Sequence, residues 1–230
     1  MNDTLYQALT LIIPLVFAIV FHEVAHGLMA RALGDPTAAE EKRLSLNPLR
    51  HVDPIGTVVL PGILALMKAP VFGWAKPVPV NKWRLRNPRF GMMAVAIAGP
   101  GMNLLMAGVG AVLLGLLLRP YGGDAEPLGF AAFAATNLFN FVLINIFLAL
   151  FNLLPIPPFD GSHIVEGLLP MPAAQVYASL RRYGFALIIV LLLVLPKLIP
   201  GFDLVGRYVQ PPVEWLTGHC LALAAMIAGG

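Results

Sequence analysis

His22, Glu23 and His26 fall within five residues of one another, in the stretch FHEVAHG from Phe21 to Gly27. Two histidines four apart on an α-helix share one face about one turn apart, close enough for both imidazoles to hold a single zinc ion. In this HExxH spacing the glutamate takes a proton from the water that attacks a carbonyl and passes it to the leaving amine. A chance match on a buried helix, its histidines hydrogen-bonded within a bundle, is the competing reading. Ionisable groups are costly in hydrocarbon, which weighs against that accident.

A catalytic zinc takes three protein ligands and leaves one position open for water. The other acidic residues sit nearly all in loops or tails, and the exception is Asp160 in NLLPIPPFDG. On local sequence alone Asp160 could equally be an ordinary Asp-Gly turn at the membrane surface. Depth decides whether it can meet the histidines. The HExxH lies roughly 25 Å along its helix at about 1.5 Å per residue, and a later apolar run ends near Leu154, just before Asp160. Pro155, Pro157 and Pro158 cannot continue a helix, and irregular chain at membrane depth is tolerated only against protein or a water-filled cavity.

The elements that must position these groups are membrane spans. Of 230 residues, 58% are hydrophobic and 12% charged, against roughly 25% charged in soluble domains. The mean hydropathy is +0.80. These values exclude a soluble domain and predict an all-α polytopic membrane protein, a bundle of four to six transmembrane segments forming a single domain over 1–230. Its catalytic core covers 5–170, and further helices cover 171–230. Spans are expected from Leu5 to Leu33, Met92 to Leu118, Phe130 to Leu154 and Gly184 to Pro200, with 212–230 a weaker fifth. The apolar stretch Ile55 to Met67 is broken by Pro61 and Gly62 and is too short for a span, so it reads as re-entrant or lying on the surface. MNDTLYQ has no basic region, and the first apolar run reads as a retained helix.

Ten of the fifteen Lys and Arg fall in residues 31–90. The positive-inside rule makes that loop cytoplasmic, with the amino terminus outside and the site toward the cytoplasmic side of the cell membrane. Orientation thus accounts for the net charge of +3, and nucleic acid is discarded as a partner. A lone cysteine, Cys220, excludes an internal disulfide framework and a multi-cysteine zinc site.

FHEVAHG and NLLPIPPFDG together resemble the two signature motifs of the site-2 protease family, intramembrane zinc metalloproteases with HExxH and N-x-x-P-x-x-P-x-D-G. Asn152, Pro155, Pro158, Asp160 and Gly161 match the second pattern position by position. GDPTA at 34–38, NPLRHVDPIGT at 47–57, FGWAKPVPVN at 72–81 and AGPGMN at 98–103 are similar to its compact prokaryotic branch. The resemblance implies His22, His26 and Asp160 as ligands of one zinc ion, Glu23 as general base, and Asn152 as stabiliser of the developing oxyanion. It also implies a substrate that is itself a membrane protein with a transmembrane helix. Asn103 is expected to support helix packing or the active site, and Gly99 and Gly101 to permit close helix approach.

The 230 residues leave no room for the PDZ or CBS domains that many members carry. Substrate choice then falls to the membrane core or the 55–90 region, where an edge strand between Ile55 and Val80 would hold an unwound substrate by β-addition. A metal-ion transporter and a non-catalytic scaffold are the rivals from other classes, and a homodimer is left open. His163 is expected at the entrance or beside the ligands, His51 in a cytoplasmic loop away from the metal, His219 to be structural, and Trp74 and Trp83 to anchor at the interface.

Overall fold

A single helix, α3 (Pro88–Leu118), packs against four other helices of the computed structural model. The structure describes residues 3–59, 63, 75–122 and 127–229. Around α3 lie α1 (Asp3–Ala32), α4 (Phe130–Asn152), the short α5 (Asp160–Leu168) and α9 (Gln210–Ala228). A four-residue helix α2 (Thr37–Glu40) follows α1. The segment Met171–Leu198 is built from α6 (Met171–Ser179), a 3-10 turn, α7 (Gly184–Ile189), a π-type turn and α8 (Leu195–Leu198).

Among the described residues four helices are long and apolar enough to cross a membrane: Leu5–Ala32, Pro88–Tyr121, Phe130–Asn152 and Met171–Leu198. The chain is a multi-pass, all-helical membrane protein. In hydrocarbon every backbone polar group must pair internally, so apolar runs of this length have no alternative to the helix. The fourth span begins some thirteen residues earlier than its apolar run suggests, because the polar stretch before Tyr183 is helical as well. The tail is helical too, but α9 is not among the four. It packs on α3 and α4 with Val213 and Ala224 buried.

Helix ends are set by local chemistry. At the end of α1, Gly34 takes a φ of +107°, while the Asp35 N–H donates to Ala30 O and the Gly34 N–H to Arg31 O. This is a Schellman-type cap, for which a glycine in a left-handed conformation is the usual means. Helix α3 starts with Pro88 in its first turn, and the Asn87 side chain accepts from the Phe90 N–H at 3.2 Å. Both are standard helix-start devices.

The buried residues of α3 fall in a stripe, Ala96, Gly99, Pro100, Asn103, Ala107, Gly110, Ala111, Leu114 and Gly115. Small side chains at this spacing let neighbouring backbones approach. The apolar core lies toward the far end, where Ala107 and Ala111 meet Val142, Ile146, Val209 and Val213. Polar side chains tie α1 to α4, with Tyr6 OH 3.2 Å from Thr136 Oγ1 and Asn140 Nδ2 donating to Thr10 O at 2.8 Å.

No strand occurs among the described residues. Residues 60–62 and 64–67, most of the expected re-entrant stretch, and Trp74 lie outside them. Pro54–Val59 forms a π-type turn. The segment 75–80 is non-helical and crosses α1 beside Glu23 and Gly27.

Candidate metal centre

His22 and His26 sit on the buried face of α1, with 7% and 9% of their surfaces exposed. Their Nε2 atoms are 3.0 Å apart. Asp160 Oδ2 completes the group at 3.2 Å from His22 Nε2 and 3.4 Å from His26 Nε2. The turn between α4 and α5 brings Asp160 there, and it closes on Gly161, where a Cβ would run into the carbonyl oxygens of Leu153 and Leu154.

What these three groups lack is identified by their other contacts. Asn103 is fully buried on α3, and its Nδ2 donates to Ala18 O at 3.2 Å and to Asn145 Oδ1 at 2.8 Å. That fixes the amide, so its Oδ1 is the atom that faces His22 Nδ1 at 2.6 Å. His22 Nδ1 must therefore carry the hydrogen. His26 Nδ1 meets Val95 O at 2.7 Å, again an acceptor. With each Nδ1 turned to an acceptor, the two Nε2 atoms face each other and Asp160 Oδ2, a buried oxygen with no hydrogen-bond partner among the described residues. Converging this closely, one ligand atom from each residue, the three groups fit one divalent cation. Two nitrogens and a carboxylate oxygen form a ligand set typical of catalytic zinc, and the hydrogen bonds behind them are the arrangement such ligands need.

Gly99 is what lets α3 lie against the rings. A Cβ there would stand 2.5 Å from His26 Cε1 and Nε2 and 2.6 Å from His22 Cε1. Gly101, two residues on, has nothing among the described residues within 4 Å of such an atom. The expectation that both permit close helix approach therefore holds for Gly99 alone.

A cavity of about 670 Å³ opens beside the group, and Glu23, Asn152 and His163 share its wall with His22, His26 and Asp160. Glu23 Oε2 accepts from the Val78 N–H at 2.7 Å. The segment 75–80 is fastened over this end by several bonds: Lys76 N–H to His51 O at 2.8 Å, Arg43 Nη2 to Lys76 O at 2.8 Å, and Asn81 N–H to Asp35 Oδ2 at 2.6 Å. Burial alone would raise the Asp35 carboxyl. Hydrogen bonds from Thr37 and the Asn81 N–H, with Arg84 nearby, outweigh it and hold the group below the ordinary aspartate range. Pro77 and Pro79 have no N–H, and those of Lys76 and Val78 are engaged, so 76–79 offers no free donor for β-addition.

Asn152 lies at the end of α4, and its Nδ2 donates to Leu148 O at 2.9 Å, which leaves its second N–H for a ligand. His51 and His219 do not reach the cavity: His51 Nε2 pairs with Ser45 O and His219 Nδ1 with Trp215 O. Trp83 is 77% exposed, as an interfacial anchor would be. Sequence reasoning passed over Asn145, although an asparagine amid the apolar run FVLINIFL is itself a signal. It also passed over the Val78 N–H, which no side-chain pattern reveals.

Residues 126–195 match the model of Peptidase family M50. Over 199 residues the chain is 39% identical to "Putative zinc metalloprotease YwhC" of Bacillus subtilis, covering 83% of this chain and 85% of that protein. The chain belongs to peptidase family M50. It is 27% identical over 183 residues to "Putative zinc metalloprotease Rip2" of Mycolicibacterium smegmatis, covering 80% of this chain and 66% of that one. To "Putative zinc metalloprotease MJ0611" of Methanocaldococcus jannaschii it is 33% identical over 147 residues, 64% of each chain. No solved structure matches. As a member of the family the chain is a membrane-embedded zinc metalloprotease, and its His22, His26 and Asp160 group fits one metal site.

Proposed function

We propose that this protein hydrolyses peptide bonds in or next to the transmembrane segments of other membrane proteins, as one domain over 1–230 whose catalytic core covers 5–170. His22, His26 and Asp160 hold the zinc, Glu23 is the general base, and Asn152 donates to the developing oxyanion. The observation that carries the reading is the convergence of three potential ligand atoms within 4.8 Å of one another on helices of a membrane bundle. Glu23 stands on the wall of the same cavity.

Zinc bound there supplies a Lewis acid that polarises the scissile carbonyl and makes water a stronger acid. Glu23 takes the proton that the attacking water gives up and returns it to the leaving nitrogen. The Val78 N–H holds one carboxylate oxygen and leaves Oε1 for that proton. Asn152, at the end of α4, has one N–H to spend on the carbonyl oxygen. Water reaches the cavity from the cytoplasmic side, and the ten basic residues between 31 and 90 support that orientation.

The test is Glu23→Gln in the full-length protein, read by zinc content and by cleavage of a single-span membrane peptide. The variant is expected to keep its zinc and lose cleavage by roughly 10²–10⁴-fold, the usual contribution of a general base. A transporter or scaffold built on the same ligands would not depend on Glu23. Undiminished cleavage in the variant sinks the mechanism.

A further inference from the structure

Helix α5 brings a second polar side chain to the zinc cavity, three residues after Asp160. His163 lines that cavity, and the i, i+3 spacing sets it beside Asp160 on one side of the helix. Its Nδ1 lies 3.3 Å from Arg181 Nη2. A guanidinium has only donors, so Nδ1 is the bare acceptor nitrogen, and the proton of the neutral ring sits on Nε2. Glu166, three residues further along α5, forms an ion pair with the same Nη2 and holds the guanidinium in place. Among the described residues nothing accepts from the Nε2–H. Burial, reinforced by the adjacent Arg181 charge, pushes the ring below the ordinary histidine range and favours its neutral form.

This arrangement rules out two other roles. His163 cannot add a fourth ligand, because one of its nitrogens is capped by Arg181 and the other is protonated. It cannot serve as general base for the same reason. What remains is a fixed N–H donor in a cavity where a carbonyl must gain negative charge.

Building on the metalloprotease reading above, we propose that His163 is a catalytic hydrogen-bond donor to the carbonyl oxygen of the scissile peptide bond, with Arg181 and Glu166 as positioning residues that fix its tautomer. As the water oxygen bonds to the carbonyl carbon, the π electron pair moves onto the carbonyl oxygen. The proton from water passes to Glu23 and then to the nitrogen as the C–N bond breaks. His163 keeps its own proton throughout and stabilises the growing charge through Nε2–H. With Asn152 on the same cavity wall, the oxygen then has two donors.

The experiment uses the full-length protein in nanodiscs and a single-span membrane peptide that the wild type cleaves. His163→Ala and His163→Phe, the latter keeping ring volume without a donor, are each expected to lower kcat by roughly 10²–10³-fold. KM and zinc content should stay at wild-type values. His163→Gln, which restores an N–H donor, should recover at least tenfold of the loss. Arg181→Met should lower kcat with KM unchanged, and Arg181→Lys, which retains a donor to Nδ1, should recover part of it. Peptide capture by Glu23→Gln should be the same with and without His163→Ala, because the bond forms only as charge develops. A kcat near wild type in both His163→Ala and His163→Phe, loss of zinc in either, or no recovery in His163→Gln overturns the assignment. Failure of the underlying reading looks different: Glu23→Gln would then cleave as the wild type does, whatever the His163 variants show.

Discussion

Around its first half helix α3 packs side chains that do chemistry, whereas around its second half it packs methyl groups and rings. Near Val95, Gly99 and Asn103 its neighbours are the two imidazoles of α1 and the amide of Asn145. From Ala107 to Gly115 they are Val142, Ile146, Val209 and Val213, with Phe141, Ala224 and Ile227 close by. Both halves use small residues, but for different ends. In lipid there is little hydrophobic drive between helices, so the far half holds together by close backbone approach. The near half is held by directional hydrogen bonds in a low dielectric, where a satisfied network is rigid and an unsatisfied one is costly. The two halves should therefore fail in different ways, the near one by losing metal and the far one by losing stability.

The largest effect is expected at Gly99. A Cβ there would stand 2.5 Å from His26 Nε2, and the rings cannot retreat without breaking their bonds to Asn103 and to Val95 O. Gly99→Ala should reduce the zinc in purified protein to background and abolish cleavage, with metal analysis as the measurement. Stoichiometric zinc in that variant would break the contrast at its strongest point.

Asn103 should come next. Asn103→Ala removes the acceptor that orients His22 and leaves the Asn145 carbonyl without its donor. Losing such an orienting partner lowers metal affinity by roughly 10–100-fold, to be read by competition with a graded series of chelators. Asn103→Asp keeps an acceptor for His22 Nδ1 and should retain more of that affinity than the alanine variant. Equal affinity in wild type and Asn103→Ala would reduce Asn103 to helix packing and place it with the far half of α3.

The His22, His26 and Asp160 group that fits a metal, with Glu23 beside it, was legible in the sequence because HExxH on an apolar run has few structural alternatives. The proline-rich turn likewise allowed only one acidic side chain at the right depth. The partners behind them were not. AGPGMN contains two glycines and an asparagine, but which of them faces α1 depends on the rotation of α3 about its own axis, and nothing local to the motif states that rotation. The Val78 N–H was hidden for a different reason, since a backbone donor leaves no mark in side-chain pattern. The contact of Arg181 with His163 depends on where the helical stretch before Tyr183 folds back. The spans themselves were recovered to within a few residues, except the fourth, whose polar first turns masked its helical start. The tail, a weaker fifth candidate because Glu214, Gly218 and His219 dilute its hydropathy, is helical and packs Val213 and Ala224 inward without being one of the four candidate spans.

The smallest effect is expected at Gly115, and it carries the other side of the comparison. A Cβ there would stand 2.6 Å from Ala224 O and 2.7 Å from Ile227 Cβ. Ala224 O belongs to backbone, so α9 as a whole must move, which no rotamer change can avoid. Gly115→Ala should lower stability by about 1–3 kcal/mol, the usual range for overpacking, read as a drop in Tm in detergent. Gly101→Ala, with open space around the added atom, is the control on the same helix. It should leave Tm unchanged or slightly raised, since alanine favours a helix interior over glycine. Zinc content and cleavage per folded molecule should match wild type in both variants. If Gly115→Ala instead lost its zinc at temperatures where it stays folded, the halves of α3 would be coupled, and displacement of α9 would have to reach His22 through Asn145 and Asn103.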